Sequence, residues 1–386
     1  MTYERTIRIY YAYRFLSSFF LIGPIITLFL LEFIPFAQLG IVFAAGVMTA
    51  FVFEIPSGVW ADRIGRTRIV ALGSVLAALE LFLIAYGQSF GYFLAAGVIG
   101  GLGSALISGA DTALVYDSLL ASGNEKQSRK VYGKSRAIRY VSIVIAALIG
   151  APLYTYAQTL PLYINSAVML GAAALILTAR EPPLVQRMER SWFALISSGF
   201  ARVRTDLVLR WFVAFSVFSG LAVWLYHDLF KLPYFEGIGY PVAVLGMVIA
   251  LVSIIRSYFS YNAHAFEERL GSQRTITMLL LAPGLLLVIM GLVPSAYALL
   301  VVIVLYCIWS IQEVVTEAKL HEHIPSSERA TVYSVHSFAN SLMLFFGALI
   351  LSWIADVTSL FTALLIAGCT SLLIGSLLLR IQPIRA

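Results

Sequence analysis

Among the ionisable side chains within the apolar runs of this sequence are Arg14, Glu54, Glu80, Asp111, Arg139 and Glu313. The chain around them is 60% hydrophobic and 12% charged, so each needs a physical reason to be there. Two reasons are available. An acid and a base can neutralise one another, the usual condition of buried charge. Alternatively, a carboxylate that water reaches can exchange a proton or hold a cation. Trp309 and Gln312 lie within one helical turn of Glu313 and could complete such a site. Enzymatic chemistry has no comparable foothold. The sequence holds no nucleotide-binding loop, zinc signature or nucleophile constellation, and it requires no cofactor. His321-Glu322-His323 resembles a metal pair without further ligands and reads as structural or solvated. Cys307 and Cys369 stand in separate apolar runs and build neither a disulfide framework nor a metal cluster.

The apolar runs are about 20 residues long, the length that crosses a bilayer core as a helix. They lack the period-two alternation of barrel strands, so an all-α membrane protein is expected. Twelve spans are expected, at about 10–33, 38–60, 69–87, 91–117, 135–156, 161–179, 209–230, 241–262, 273–292, 295–320, 329–354 and 357–379. The first is too long for a signal-peptide core and is expected to be an uncleaved span.

The net charge of +6 is distributed by loop rather than by patch, which argues against a nucleic-acid partner. Basic residues fill every second connection: Arg63, Arg66 and Arg68; then Lys126, Arg129, Lys130, Lys134 and Arg136; then Arg180, Arg187, Arg190, Arg202 and Arg204; then Arg269, Arg274, Lys319 and Arg329. The alternate connections hold only Lys231. That asymmetry puts both termini in the cytoplasm and the chain in a cell's inner (plasma) membrane.

The longest polar break, about 180–208, divides the chain into an N-terminal bundle (1–179), a cytoplasmic linker (180–208) and a C-terminal bundle (209–386), each bundle of six spans. Within the linker, Trp192-Phe-Ala-Leu-Ile196 is suited to a short amphipathic surface helix. The halves repeat. Glu268-Arg-Leu-Gly-Ser-Gln-Arg274 matches Asp62-Arg-Ile-Gly-Arg-Thr-Arg68 at a displacement of 206 residues, and the same displacement carries Asp111 onto Glu317.

On these spans, Glu54 and Asp111 fall about 9 Å, and Arg14 and Arg139 about 6 Å, inside the cytoplasmic ends of their helices. They form either neutralising pairs that hold the bundle or a proton-responsive network. Pro56 would loosen the helix beside Glu54. Glu313 and Glu80 lie about 14 and 16 Å deep. Glu313, with no basic neighbour on its own span, is the expected carboxylate for a proton or a cationic substrate. Glu80 is expected to be protonated or paired locally, and Glu317 to pair with Lys319 or Arg256. Tyr10, Tyr11, Tyr13, Trp224, Tyr226 and His227 are read as interfacial aromatics; His336 is a further titratable group.

Gly58, Asp62, Arg63, Gly65, Arg66 and Arg68 match a loop signature, G-x-x-x-D-R-x-G-R-(R/K)-(R/K), with Thr67 at the one basic position lost. On these residues the chain resembles the major facilitator superfamily. Phe53-Glu-Ile-Pro-Ser-Gly58, Ser108-Gly-Ala-Asp-Thr-Ala-Leu-Val-Tyr-Asp-Ser118 and Ile324-Pro-Ser-Ser-Glu-Arg-Ala-Thr331 are similar to its drug or tetracycline exporters. The resemblance implies two pseudo-symmetric six-helix bundles around a central cavity. It further implies alternating access and a cytoplasmic gate in which Asp62 meets the start of span 11 and Arg66 pairs with Asp117. Proton-driven export of amphiphilic or cationic compounds by a monomer is the function it suggests. The alternatives are gradient-driven movement of a specific metabolite such as a siderophore or lysolipid, and a membrane sensor. Two departures stand against proton exchange: Gly97, where the exporters carry an arginine four residues before Gly101, and Gly150-Ala-Pro152, where they carry Gly-Pro followed by paired glycines.

Overall fold

The computed structural model describes residues 2–23, 25–124, 127–182, 192–295, 297–324 and 329–383. They are helical nearly throughout, with no strand among them. The chain divides into two compact units, which differ from the expected halves in two short exchanges. Pro35–Gly40, at the start of span 2, groups with the second unit, and Pro241–Ala250, at the start of span 8, with the first. Lys126, Arg187 and Arg190 lie outside the described residues, as do residues 325–328 of the Ile324–Thr331 stretch. So do the side chains of Arg129, Arg329, His321, His323 and the Trp192–Ile196 segment.

The N-terminal helices are α1 (Thr2–Ser18), α2 (Ile26–Leu31), α3 (Phe36–Ile64), α4 (Arg66–Gly87), α5 (Phe90–Ile107), α6 (Ala110–Ala121), α7 (Ser128–Tyr156) and α8 (Leu160–Leu177). The linker helix α9 (Trp192–Thr205) begins where the amphipathic segment was expected. Beyond it run α10 (Leu207–Leu225), a π-helical stretch (Tyr226–Phe230), α11 (Lys231–Gly237), α12 (Val242–Tyr261), α13 (Ala263–Leu270), α14 (Ser272–Leu292), α15 (Ala298–His323), α16 (Arg329–Val357) and α17 (Leu360–Arg380).

Among the described residues, eleven helical segments are long and apolar enough to cross a bilayer, one fewer than expected. The difference is span 1, which is broken between Ser18 and Ile26 into α1 and α2. Backbone freed from a helix inside a membrane must be satisfied by protein, since lipid offers no partner. Here Asn165 of α8 does it: its amide donates to the Phe19 carbonyl, and its Oδ1 accepts the Ile22 amide at 3.2 Å. Gly150 of α7 makes the space, because a Cβ there would overlap the Leu21 carbonyl oxygen. The departure at Gly150-Ala-Pro152 is thereby packed against the break.

Two further corrections concern continuity. Span 4 is bent at Ser108–Gly109, where Gly109 takes a φ of 78°, a conformation that favours glycine. The expected outer loop at 231–240 is mostly the buried helix α11, so Lys231 continues a span instead of leaving it. The internal repeat, by contrast, has a backbone signature. Gly65 (φ 109°, ψ 141°) and Gly271 (φ 82°, ψ 149°), one displacement of 206 apart, make the same turn into α4 and α14.

Asn165→Leu should lower the thermal melting temperature in detergent, since it strands a buried amide and a buried carbonyl at about 1–3 kcal/mol each. A melt unchanged from wild type would show that Asn165 does not hold the break.

Candidate functional site

In the first unit the bend at Gly109 starts a new helix inside span 4, and Asp111 lies in its first turn. A carboxylate there gains from the unpaired amides and the dipole of the helix N-terminus. Arg14 of α1 donates to it at 2.9 Å, with side-chain exposures of 19% for Arg14 and 8% for Asp111, and Arg139 of α7 adds positive charge to its surroundings. Tyr10 and Tyr13 flank this pair and are fully buried, Tyr13 hydrogen-bonded to Ser74 at 3.2 Å. They are core residues, not an interfacial belt, because their hydroxyls find partners inside the bundle. Glu54 is exposed on α3, which continues through Pro56. Glu80 is half-buried on α4 with its carboxylate packed on Gly100 of α5; no ionic partner is seen among the described residues.

The signature loop forms a second cluster. The Arg66 guanidinium is buried, ion-paired with Asp117, hydrogen-bonded to the Ala113 carbonyl at 2.7 Å and reaching Asp62 at 3.5 Å. Gly65 breaks the chain so that α4 begins at Arg66, leaving that helix's first amides open. Glu181 fills the vacancy. Its carboxylate accepts the Arg66 amide, the Thr67 amide at 2.9 Å and the Thr67 hydroxyl. This cap was invisible from spacing, since 115 residues separate Glu181 from Arg66. Arg63 and Arg68 are exposed, and Gly58 has open space where a Cβ would stand.

In the second unit Glu313 of α15 meets a base after all. Arg256 of α12 donates to it at 3.1 Å and lays its guanidinium 4.0 Å above the Trp309 ring and 5.6 Å from Tyr306. Glu313 was expected to stand without a base because only its own span was considered. Residues 306, 309 and 313 share one helix face, and Arg256 reaches that face from a neighbouring helix. Trp309 is braced by Trp224 (5.4 Å between ring centres) and by His227 (5.0 Å), whose Nδ1 meets the Tyr306 hydroxyl at 2.6 Å. His227 is aimed by the π-helical stretch, an irregularity often found at functional sites. Trp224, His227, Tyr306 and Arg256 were therefore missed. Arg256 could have been found by the test applied to Arg14 and Arg139, being the one basic residue inside its span.

Gln312 does not join Glu313. It points the other way, buried, donating to Ser219 at 3.0 Å in space left by Gly220. Glu317 does not take the expected partners either: Lys319 pairs with Glu267 at 2.8 Å and Arg256 with Glu313. His336 meets Ser216 at 2.8 Å.

Removing one partner of the Arg14–Asp111 pair leaves an uncompensated buried charge. Asp111→Asn should cost about 3–5 kcal/mol, whereas Arg14→Met with Asp111→Leu should recover most of it. A double variant no more stable than Asp111→Asn would mean that the two side chains are not coupled.

Residues 14–316 match the family model described as Major Facilitator Superfamily. Over 174 residues the chain is 24% identical to the quinolone resistance protein NorA of Staphylococcus aureus, a match covering 45% of this chain and 42% of that one. It is 25% identical over 146 residues to the probable vesicular acetylcholine transporter-B of Danio rerio, covering 38% and 29%. The chain thus spans less than half the length of these curated relatives. The crystal structure of the nucleoside transporter NupG superposes with a TM-score of 0.82 at 17% identity, covering 98% of this chain and 100% of the other, a likeness of fold. The chain belongs to the Major Facilitator Superfamily, a family of transporters and not of enzymes.

Proposed function

We propose that this protein is a secondary active transporter that exports small amphiphilic or cationic, drug-like compounds in exchange for protons, by alternating access of its two six-helix halves. The observation that carries the reading is the Glu313 carboxylate set beside the Trp309 and Tyr306 rings. Aromatic faces and a carboxylate together suit an organic cation. Two curated relatives support it by name: one is a quinolone resistance protein, the other a probable transporter of acetylcholine, a quaternary ammonium. A proton and a cation competing for one carboxylate give the simplest physical basis for exchange. A specific metabolite bearing an anionic group is the second reading, and Arg256 in the same cluster is what favours it.

Glu313→Gln imitates the protonated acid. In proteoliposomes with an imposed pH gradient it should abolish accumulation of a cationic substrate, and it should make binding independent of pH. Accumulation at the wild-type rate would remove Glu313 from the mechanism.

The same proposal places the chain in the plasma membrane as a monomer with cytoplasmic termini, and makes Asp62, Arg66 and Asp117 part of a cytoplasmic gate. Cysteine labelling with an impermeant reagent tests both claims. A cysteine at Glu236 should react from outside, and one at Gln127 only from inside. Adding Asp62→Asn should raise the reactivity of a cysteine at Gly58, since losing a charge-assisted contact costs about 1.5–3 kcal/mol and shifts a two-state equilibrium about tenfold or more. Reversed sidedness would overturn the topology, and an unchanged Gly58 rate would overturn the gate.

A further inference from the structure

Arg256 poses a problem for a site that takes cations, because it is itself a cation already seated there. Its guanidinium lies 4.0 Å over the Trp309 ring centre and 5.6 Å from that of Tyr306, and it donates to Glu313 at 3.1 Å. Those are the contacts that an incoming planar cation would make. The rings cannot retreat from it. Trp309 is held edge-on by Trp224 and tilted against His227 and Tyr306, with only 2% of its surface exposed. The charged groups, in contrast, can be approached, since the Arg256 and Glu313 side chains are 22% and 42% exposed. The indole Nε1 of Trp309 is buried without a hydrogen-bond partner, so nothing polar ties the ring to one neighbour in place of another. The 206-residue repeat sets Ala50, Gly103 and Ile107 of the first half against Arg256, Trp309 and Glu313. The set is therefore no relic of the shared helical scaffold.

We propose that Arg256 is a tethered competitor: it fills the Trp309–Glu313 site in place of substrate, and a monovalent organic cation with a flat or delocalised charge binds by displacing it. This rests on the reading of the site as cation-binding and adds a rule of selectivity. A guanidinium is planar and weakly hydrated, so a compact, strongly hydrated ammonium competes with it poorly. A substrate must supply both a charge for Glu313 and an apolar face for Trp309. Divalent cations are disfavoured, because the displaced guanidinium stays on its tether beside the site. Between substrates the arginine returns, so Glu313 is not left alone in an apolar span.

Binding of tetraphenylphosphonium to the purified full-length protein, read by quenching of tryptophan fluorescence, tests the proposal. Arg256→Gln should bind the probe about tenfold more tightly than wild type, the competitor having been removed. Glu313→Gln should bind it about tenfold more weakly. Arg256→Lys, which keeps the charge but loses the planar stacking group, should fall between wild type and Arg256→Gln, and it decides the matter alone if Arg256→Gln does not fold. Equal or weaker binding by the folded arginine variants overturns the tethered competitor. If wild-type binding of the probe still depends on Glu313 in that case, the cation-binding reading survives without it. If the probe binds neither wild type nor Arg256→Gln, while dodecyl phosphate binds wild type and is lost in Arg256→Gln, the cation reading fails as well and the arginine is an anchor for anions.

Discussion

Hydrocarbon answers no polar group, and this constraint orders most of what distinguishes the molecule from a plain bundle of apolar helices. Where the chain leaves regular helix after α1, another part of the same unit supplies what the backbone lost. Asn165 does this for the break after α1, accepting one amide and donating to one carbonyl. The bend at Gly109 is used differently. It exposes the first amides of α6 where Asp111 needs a positive environment, and Arg14 completes that environment. The π-helical stretch at Tyr226–Phe230 turns His227 toward Tyr306 and Trp309. Irregular backbone and charge therefore coincide because each makes the other tolerable.

The repeat explains why the two units share a scaffold and not a site. Gly65 and Gly271 make the same turn, and their following helices start at equivalent positions. The groups that carry charge have drifted apart. Arg14 corresponds by displacement to Gly220, whose missing side chain gives Gln312 its room, and Asp111 corresponds to Glu317. One unit thus holds an arginine–aspartate pair at a helix start, and the other an arginine–glutamate pair over aromatic rings. Arginine suits both, since its planar fork serves a carboxylate and its face serves an indole.

Much of this was legible in residue types. Apolar runs, arginine and lysine asymmetry and the loop signature gave the helical membrane fold and the position of the repeat. The interruptions were not legible. The residues from Phe19 to Ile25 are mostly apolar, and hydropathy does not register a turn satisfied by one distant asparagine. The pairing of Glu317 failed for a related reason. Glu317 was matched with Lys319 because they are near in sequence, whereas the helix surface and a neighbouring helix decide contacts. Tyr10 and Tyr13 were read from type as belt residues. Only packing shows that their ring bodies fill the core of the first unit.

The loop signature makes the same point in its one departure. Where the family pattern carries a third basic residue this chain has Thr67, and a lost charge would ordinarily mean a weakened loop. The lost charge is matched by a helix cap. Thr67 offers its amide and its hydroxyl to Glu181, and the neighbouring Arg66 amide takes the other carboxylate oxygen. A carboxylate at a helix start is favoured by the open amides and by the dipole. A long basic side chain at position 67 would meet Glu181 as an ion pair, but it lacks the short hydroxyl that reaches the capping oxygen. Glu181, at the start of the linker, is therefore built into the turn between the second and third spans. That gives Glu181 a mechanical meaning which charge and hydropathy alone did not reveal: the start of the linker is anchored at the turn whose arginine is already held by Asp117 and by the Ala113 carbonyl.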